Sequence, residues 1–172
     1  MDMKIEGLYA LIAKLDSLGG DAQGVCVNAM KKATKLVEST ATELCPNDIG
    51  QLRASITSSV KSEDGLVEGT VGTNLEYAPY VEFGTGYVGD AHPHPQDAEL
   101  GITRSHPVRE YKDKNGNVRQ VKGWVYKDKI KGKFYFTRGQ PARPFLYPAL
   151  QKNRENITKI FQNALHEEIK KK

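Results

Sequence analysis

The residues best suited to chemistry are the histidines of a short proline-rich run. His92 and His94 alternate with prolines, and a His-x-His pair with His106 or Asp97 as a third ligand is a candidate set for zinc. No cysteine cluster and no helical histidine pair supports such a set. We therefore expect no metal site here.

Other reactive arrangements are also missing from the sequence. Cys26 and Cys45 lack CxxC spacing, and on one helix they would lie about 28 Å apart, too far for a disulfide. The serines stand in no nucleophile-elbow context, and no glycine-rich phosphate loop occurs. The sequence thus predicts reduced thiols, no cofactor and no enzymatic activity.

The segment from 73 to 86, which we call the aromatic turn, is the most distinctive part of the chain. Its rings recur at three-residue spacing with an acid between them: Tyr77, Tyr80, Glu82 and Phe83. This spacing predicts a short helical turn that ends at Gly84 and Gly86. Because tyrosine buries apolar area while its hydroxyl stays hydrated, the rings suit either a sheet edge or a protein interface.

Two further segments resemble structural corners. In residues 45–56, Pro46 ends a helix, and Arg53 is a candidate partner for an acid on a neighbouring subunit, worth about 0–1 kcal/mol if exposed. In residues 139–150, prolines fix an extended segment before the last helix. There Arg143 is either a surface charge or an internal partner for Glu82.

Apolar residues at helical spacing predict three helices, over residues 5–18, 21–44 and 147–170. Between the second and third, strands over 56–62 and 66–73 are predicted to pair through an Asp64-Gly65 turn. A parallel, doubly wound sheet is not expected from this order. The fold class is therefore α+β, with a small antiparallel sheet packed against long N- and C-terminal helices.

Residues 84–133 are predicted to be an extended loop and hairpin insert that projects from a single domain spanning residues 1–172. Strands over 108–112 and 118–127 turn at Asn115-Gly116, and a short aromatic strand follows over 133–137. Tyr111, Val121, Trp124 and Tyr126 are predicted to share one face of this hairpin. The insert contains too few apolar residues to bury itself alone.

The charge and the hydropathy of the chain limit the kinds of partner that it can bind. The net charge is +4, and much of the positive excess lies in residues 112–133 and 170–172. This charge is short of the basic stripe expected of a dedicated nucleic-acid binder. These cationic side chains are either solvated or make a weak contact with DNA. The sequence shows no apolar run of about 20 residues and no signal-peptide pattern, so we expect no membrane partner and assembly in a cytoplasm.

In order and spacing, the 45–56 corner, the aromatic turn and the Ala142-Arg-Pro-Phe-Leu146 segment resemble the tail-component family of long-tailed bacteriophages. The family's usual Asp-Thr-Gly at the corner is Asp48-Ile49-Gly50 here. The resemblance implies a structural virion protein of the neck or tail, active in tail completion or head–tail joining. It also implies a ring-like homo-oligomer that contacts neighbouring neck and tail proteins and is assembled in the host bacterial cytoplasm.

The resemblance implies no catalytic residues, so the candidate site is a protein interface. Its residues are drawn from the aromatic turn, the two corners and the hairpin: Tyr77, Tyr80, Glu82, Phe83, Arg53, Arg143, Tyr111, Trp124 and Tyr126. Two alternatives stay open. One is a basic DNA-contacting accessory protein of the packaging channel, and the other is a metal-binding enzyme that depends on His92 and His94.

Overall fold

The computed structural model describes residues 13, 21–46, 50–128 and 131–170. The predicted helix over 5–18 lies almost entirely outside the described residues. Two compact units divide the chain, Met1–Asn74 with Phe145–Lys172 as the first and Leu75–Pro144 as the second. The second unit contains all of the predicted 84–133 insert, and the single domain over 1–172 stays a prediction.

Helices and short strands alternate along the chain. The helices are α1 (Ala22–Leu44), α2 (Gly50–Ala54), α3 (Ala78–Phe83), α4 (Gly86–Ala91), α5 (Asp97–Leu100) and α6 (Leu146–Lys170). The strands are β1 (Thr57–Glu63), β2 (Leu66–Gly72), β3 (Val108–Lys112), β4 (Val118–Lys122), β5 (Trp124–Lys127), β6 (Phe134–Thr137) and β7 (Gly139–Gln140). Every pair of strands is antiparallel, which confirms the α+β class. No helix in the described part of the chain is long and apolar enough to cross a membrane.

The first unit is built around α1. Asp21 caps this helix by accepting the backbone N–H of Gly24 at 2.9 Å, and the helix ends at Leu44, shortly before Pro46. Its buried face consists of small side chains, among them Ala29, Ala33 and Ala41, so neighbouring elements can approach closely. Helix α1 packs against α6 and against the β1–β2 sheet.

Both partners of α1 were predicted from local patterns. Strands β1 and β2 pair from Thr57↔Gly72 to Glu63↔Leu66. Asp64 and Gly65 have φ of 50° and 78°, as a two-residue type I′ turn requires. On α6, Asn153 is buried and donates to the Thr40 hydroxyl at 2.8 Å and to the Ala149 carbonyl at 2.9 Å, which satisfies a polar group inside the helix pair.

The second unit combines three short helices with two β-ribbons, β3–β4 and β5–β6. Helices α4 and α5 were not predicted, because residues 86–100 are rich in Gly, His and Pro and show no apolar period. The predicted strand over 118–127 is wrong in one respect. It breaks at Gly123, and its second half leaves β4 to pair with β6.

The break follows from the conformation of Gly123. Its φ is 141°, a region open to glycine, and a Cβ there would lie 2.3 Å from the carbonyl oxygen of Thr137. Its N–H donates to the Pro107 carbonyl at 2.9 Å. As a result, Tyr111 lies on the β3–β4 ribbon and Trp124 and Tyr126 lie on the β5–β6 ribbon, so the prediction that these rings share a hairpin face is wrong.

Candidate protein interface

The aromatic turn forms α3, as its spacing predicts. Pro79 stands in the first turn of this helix, where its missing N–H costs nothing. Gly84 ends the helix with φ of 74°, and its N–H donates to the Tyr80 carbonyl at 3.1 Å. The turn is one-sided: the side chain of Tyr80 is 58% exposed, whereas Ala78 and Glu82 are buried.

The proline-rich segment before α6 backs this turn, so the structure brings two sequence motifs together. Gln140 donates through its side-chain amide to the Tyr80 carbonyl at 2.7 Å, and the N–H of Arg143 donates to the Val81 carbonyl at 2.8 Å. Gly139 lies against Thr85 so closely that a Cβ would sit 1.9 Å from the Thr85 carbonyl oxygen. The turn therefore has a rigid backbone support.

Beneath the turn, Glu82 and His94 form a buried pair. His94 Nε2 lies 3.4 Å from Glu82 Oε1, and their side chains are 1% and 6% exposed. The backbone N–H of Gln96 donates to His94 Nδ1 at 3.1 Å, so the proton of a neutral imidazole stands on Nε2, toward the carboxylate. The Phe83 ring packs edge-on against His94, with centroids 4.8 Å apart.

Arg104 ties the end of α3 to the next two helices. Its Nε donates to the Phe83 carbonyl at 3.1 Å, and its terminal nitrogens lie 3.2 Å from Asp90 Oδ1 and 2.6 Å from Asp97 Oδ2. The Arg104 side chain is only 5% exposed. Since a guanidinium has five donors in a planar fork, one side chain can hold three separate acceptors.

Asp90 also contacts His106 Nε2. Loss of solvent would raise the pKa of Asp90, but the hydrogen bonds from His106 and Arg104 outweigh it and hold that pKa below its usual range. Asp90 is thus ionised in the folded protein at neutral pH. The cluster therefore fastens α3, α4 and α5 to one another through charge-assisted hydrogen bonds.

The histidines are not arranged as the metal alternative requires. His92 is exposed whereas His94 is buried, and the Nδ1 lone pair of His94 is occupied by the Gln96 N–H. Across the described ranges, no group of three His, Cys, Asp or Glu side chains comes together as a metal site.

The β5–β6 ribbon exposes rings on both of its faces. Cross-strand partners share a face, so Tyr126 and Tyr135 lie together, with centroids 5.9 Å apart. Phe134 and Phe136 point to the opposite face and are 71% and 51% exposed. The Lys127 ammonium lies over the Phe134 ring at 5.8 Å.

The structure places the predicted interface residues unequally. Within the second unit, Tyr80, Tyr111, Tyr126 and Arg143 are exposed, Tyr77, Phe83 and Trp124 are half-buried, and Glu82 is buried. The Trp124 ring packs against Gly86 and thereby joins the β5–β6 ribbon to the aromatic turn. Arg53 is half-buried in the first unit. Whether these residues form an interface stays a prediction.

Sequence reasoning missed Arg104, Asp90 and the exposed rings of β6. Arg104 is a lone cation in a polar segment, so no local pattern marks it. The sequence predicts a strand at the Phe-Tyr-Phe run of β6. This run does not alternate between polar and apolar residues, which indicates that both faces of the strand carry rings.

Residues 9–84 of the chain match the HK97-gp10-like family, whose description reads "Bacteriophage HK97-gp10, putative tail-component". The matched range covers α1, the β1–β2 hairpin and α3, and it ends at Gly84. This match confirms the resemblance to a phage tail-component family. No curated protein and no solved structure matches the chain.

Proposed function

We propose that this chain is a structural virion protein of the phage neck or tail. It acts in tail completion or head–tail joining by associating with copies of itself in a ring and by contacting neighbouring virion proteins. It is assembled in the host cytoplasm and carries out no catalysis. The family match over residues 9–84 supports the tail-component role, and the distribution of apolar side chains supports action through protein contacts.

That distribution is the observation that carries the proposal. Among the described residues, fourteen of the fifteen buried apolar residues belong to the first unit, and ten of the twelve exposed large ones belong to the second. The first unit is therefore the stable core, and residues 75–144 present rings to the outside. Exposed apolar side chains that lie side by side, such as the rings of Tyr126 and Tyr135, are typical of binding surfaces, whereas apolar side chains scattered singly are ordinary on a protein surface.

Tyr80 is the ring best placed to anchor a partner. It is 58% exposed on a helix whose backbone is held by Gln140 and Arg143. The hydrogen bond from Gln140 goes to the carbonyl of Tyr80 rather than to its side chain, so removal of the ring leaves the turn intact. Rigid aromatic side chains of this kind dominate many interfaces.

The Tyr80→Ala variant tests this proposal in a phage that lacks the gene. A central aromatic anchor contributes about 2 kcal/mol or more, so we expect association to weaken by about 30-fold or more. Complementation should yield unjoined heads and tails by electron microscopy and a lower titre. Circular dichroism and thermal melting should show an unchanged fold.

Leu66→Ala is the matched control, because Leu66 is also 58% exposed but lies on the β1–β2 hairpin. It should support joining as well as the wild type does. A folded Tyr80→Ala protein that yields joined particles at full titre would place the interface elsewhere.

A further inference from the structure

The positive charge of the chain is concentrated in one segment. Residues 104–138 contain eleven Lys and Arg and three Asp and Glu, a formal charge of +8, whereas the whole chain carries +4. In the described part of this segment, nine of the cationic residues are exposed. The remainder of the chain is therefore net negative.

The three acids of this segment are bound to the segment itself. Asp113 accepts the N–H groups of Asn115 and Asn117 and the Nε–H of Arg119, at 2.9 to 3.0 Å. Glu110 accepts from the Gln120 side chain at 2.8 Å. Asp128 accepts the N–H of Lys131 at 2.9 Å. Among these bonds, the one between Asp113 and Arg119 joins an acid to a cation, and the others join an acid to a backbone N–H or to the neutral Gln120 amide. With all three acids counted, the segment keeps its formal charge of +8.

The β3–β4 ribbon presents its cations at a defined spacing. The register pairs Lys112 with Val118 and Val108 with Lys122, so both lysines lie on one face, with the Glu110–Gln120 pair between them. Four residues of strand separate their levels, about 13 Å at about 3.3 Å per residue. The Lys122 ammonium is held over the Tyr87 ring at 5.6 Å. Both strands are exposed along their length except at Val121, which is half-buried.

We propose that the β3–β4 ribbon binds duplex DNA through its phosphate backbone, with Lys112, Lys114 and Lys122 as phosphate contacts. The major groove is about 12 Å wide and admits a two-stranded ribbon. Because the two lysines are separated along the strands, a ribbon that crosses the groove places them, about 13 Å apart, near the phosphates on its two sides. Neutralising phosphates releases condensed counterions, which supplies affinity without any base contact. This goes beyond the proposed function and does not depend on it.

The experiment measures binding of a short duplex of random sequence to the purified full chain by fluorescence anisotropy, at salt concentrations between about 50 and about 200 mM. The test variant is Lys112→Gln, Lys114→Gln, Lys122→Gln. The control is Lys31→Gln, Lys32→Gln, Lys159→Gln, which removes the same charge from exposed positions of α1 and α6. Both are checked by circular dichroism.

We expect wild-type binding to fall steeply with salt. The test variant should lose about one unit of the logarithmic salt slope for each lysine that contacts a phosphate, and the control should retain the wild-type slope. An equal loss in the control would assign the binding to diffuse charge and overturn the proposal, as would no binding of duplex at low salt.

Two competitors separate other partners. The first competitor is single-stranded DNA. If it binds more tightly than duplex and the Phe134→Ala variant loses that affinity, the bases stack on the β5–β6 rings. That result would overturn the proposal of duplex binding. The second competitor is polyglutamate. If polyglutamate displaces the duplex when both carry the same total charge, the ribbon favours an acidic protein surface, and the proposal is overturned. Because these assays use purified protein and DNA, their failure would leave the joining assay with Tyr80→Ala unaffected.

Discussion

At the scale of single residues, the second unit combines a polar network with very few fully buried apolar side chains. Ala78 is its one buried apolar residue among those described. Arg104, in contrast, reaches three acceptors contributed by α3, α4 and α5. A polar network in a poorly hydrated site strengthens each of its members, and leaves a costly orphan if one member is removed.

Arg104→Ala should destabilise the folded chain by about 2–4 kcal/mol, because the Phe83 carbonyl and the largely buried Asp97 lose their donor. Arg104→Lys should recover little of this, since an ammonium cannot span three acceptors. Chemical denaturation gives the free energy of unfolding, and hydrogen exchange over residues 78–97 locates the effect. Arg109→Ala, at an exposed position of β3, is the control; equal stability of the two variants would contradict this role of Arg104.

At the scale of elements, turn chemistry decides how the exposed ribbons keep their register. A two-stranded ribbon alone is marginally stable. In the β3–β4 ribbon, Asp113 stabilises the loop, because its carboxylate accepts hydrogen bonds from two backbone N–H groups. The hydrogen bond from the Asn117 backbone N–H is the main cause that holds the pKa of Asp113 below its usual range, with Asn115 and Arg119 adding to it.

This ribbon should loosen in acid. Because the pKa of Asp113 is lower in the folded chain than in the unfolded one, its stabilisation is fully present above the unfolded value of about 3.9. It is lost as pH falls through the folded value. Amide resonances of Asn115 and Asn117, followed by NMR from about pH 6 to about pH 2, should lose their folded shifts. Asp113→Asn should abolish that transition, whereas Asp64→Asn in the other hairpin should preserve it; an unchanged wild-type spectrum would refute the role of Asp113.

At the scale of the whole molecule, the buried apolar residues and the exposed rings are separated along the chain. The first unit has the long helices and nearly all of the buried apolar residues described, and the second carries the exposed rings and the positive ribbon segment. This separation suits the assembly role proposed above, because the rings can be exposed without weakening the core.

Residues 75–144 should not fold when expressed as an isolated fragment. With Ala78 as the one buried apolar residue described there, the fragment cannot offset the conformational entropy lost on folding. Its NMR amide dispersion should be narrow and its melting should lack a cooperative transition, while the same residues in the full chain are ordered. A well-dispersed spectrum of the fragment would refute this and would also contradict the single domain over 1–172.

The sequence by itself determined the elements whose signals are local. Small and apolar residues at helical spacing set α1 and α6, and Asp64-Gly65 set the β1–β2 turn, because a helix period or a turn conformation depends on residues a few positions apart. The aromatic turn was predicted for the same reason. Its short helix follows from ring spacing, Pro79 and Gly84.

Only the tertiary structure decided which segments meet. The break at Gly123, the support of Tyr80 by Gln140 and the hydrogen bonds formed by Arg104 each join residues that are distant in sequence. Such contacts depend on the shape of the folded backbone and leave no period in the sequence. The exposure of the β6 rings could not be predicted from the sequence for the same reason. An aromatic strand has the same sequence pattern whether it is buried on both faces or exposed on both.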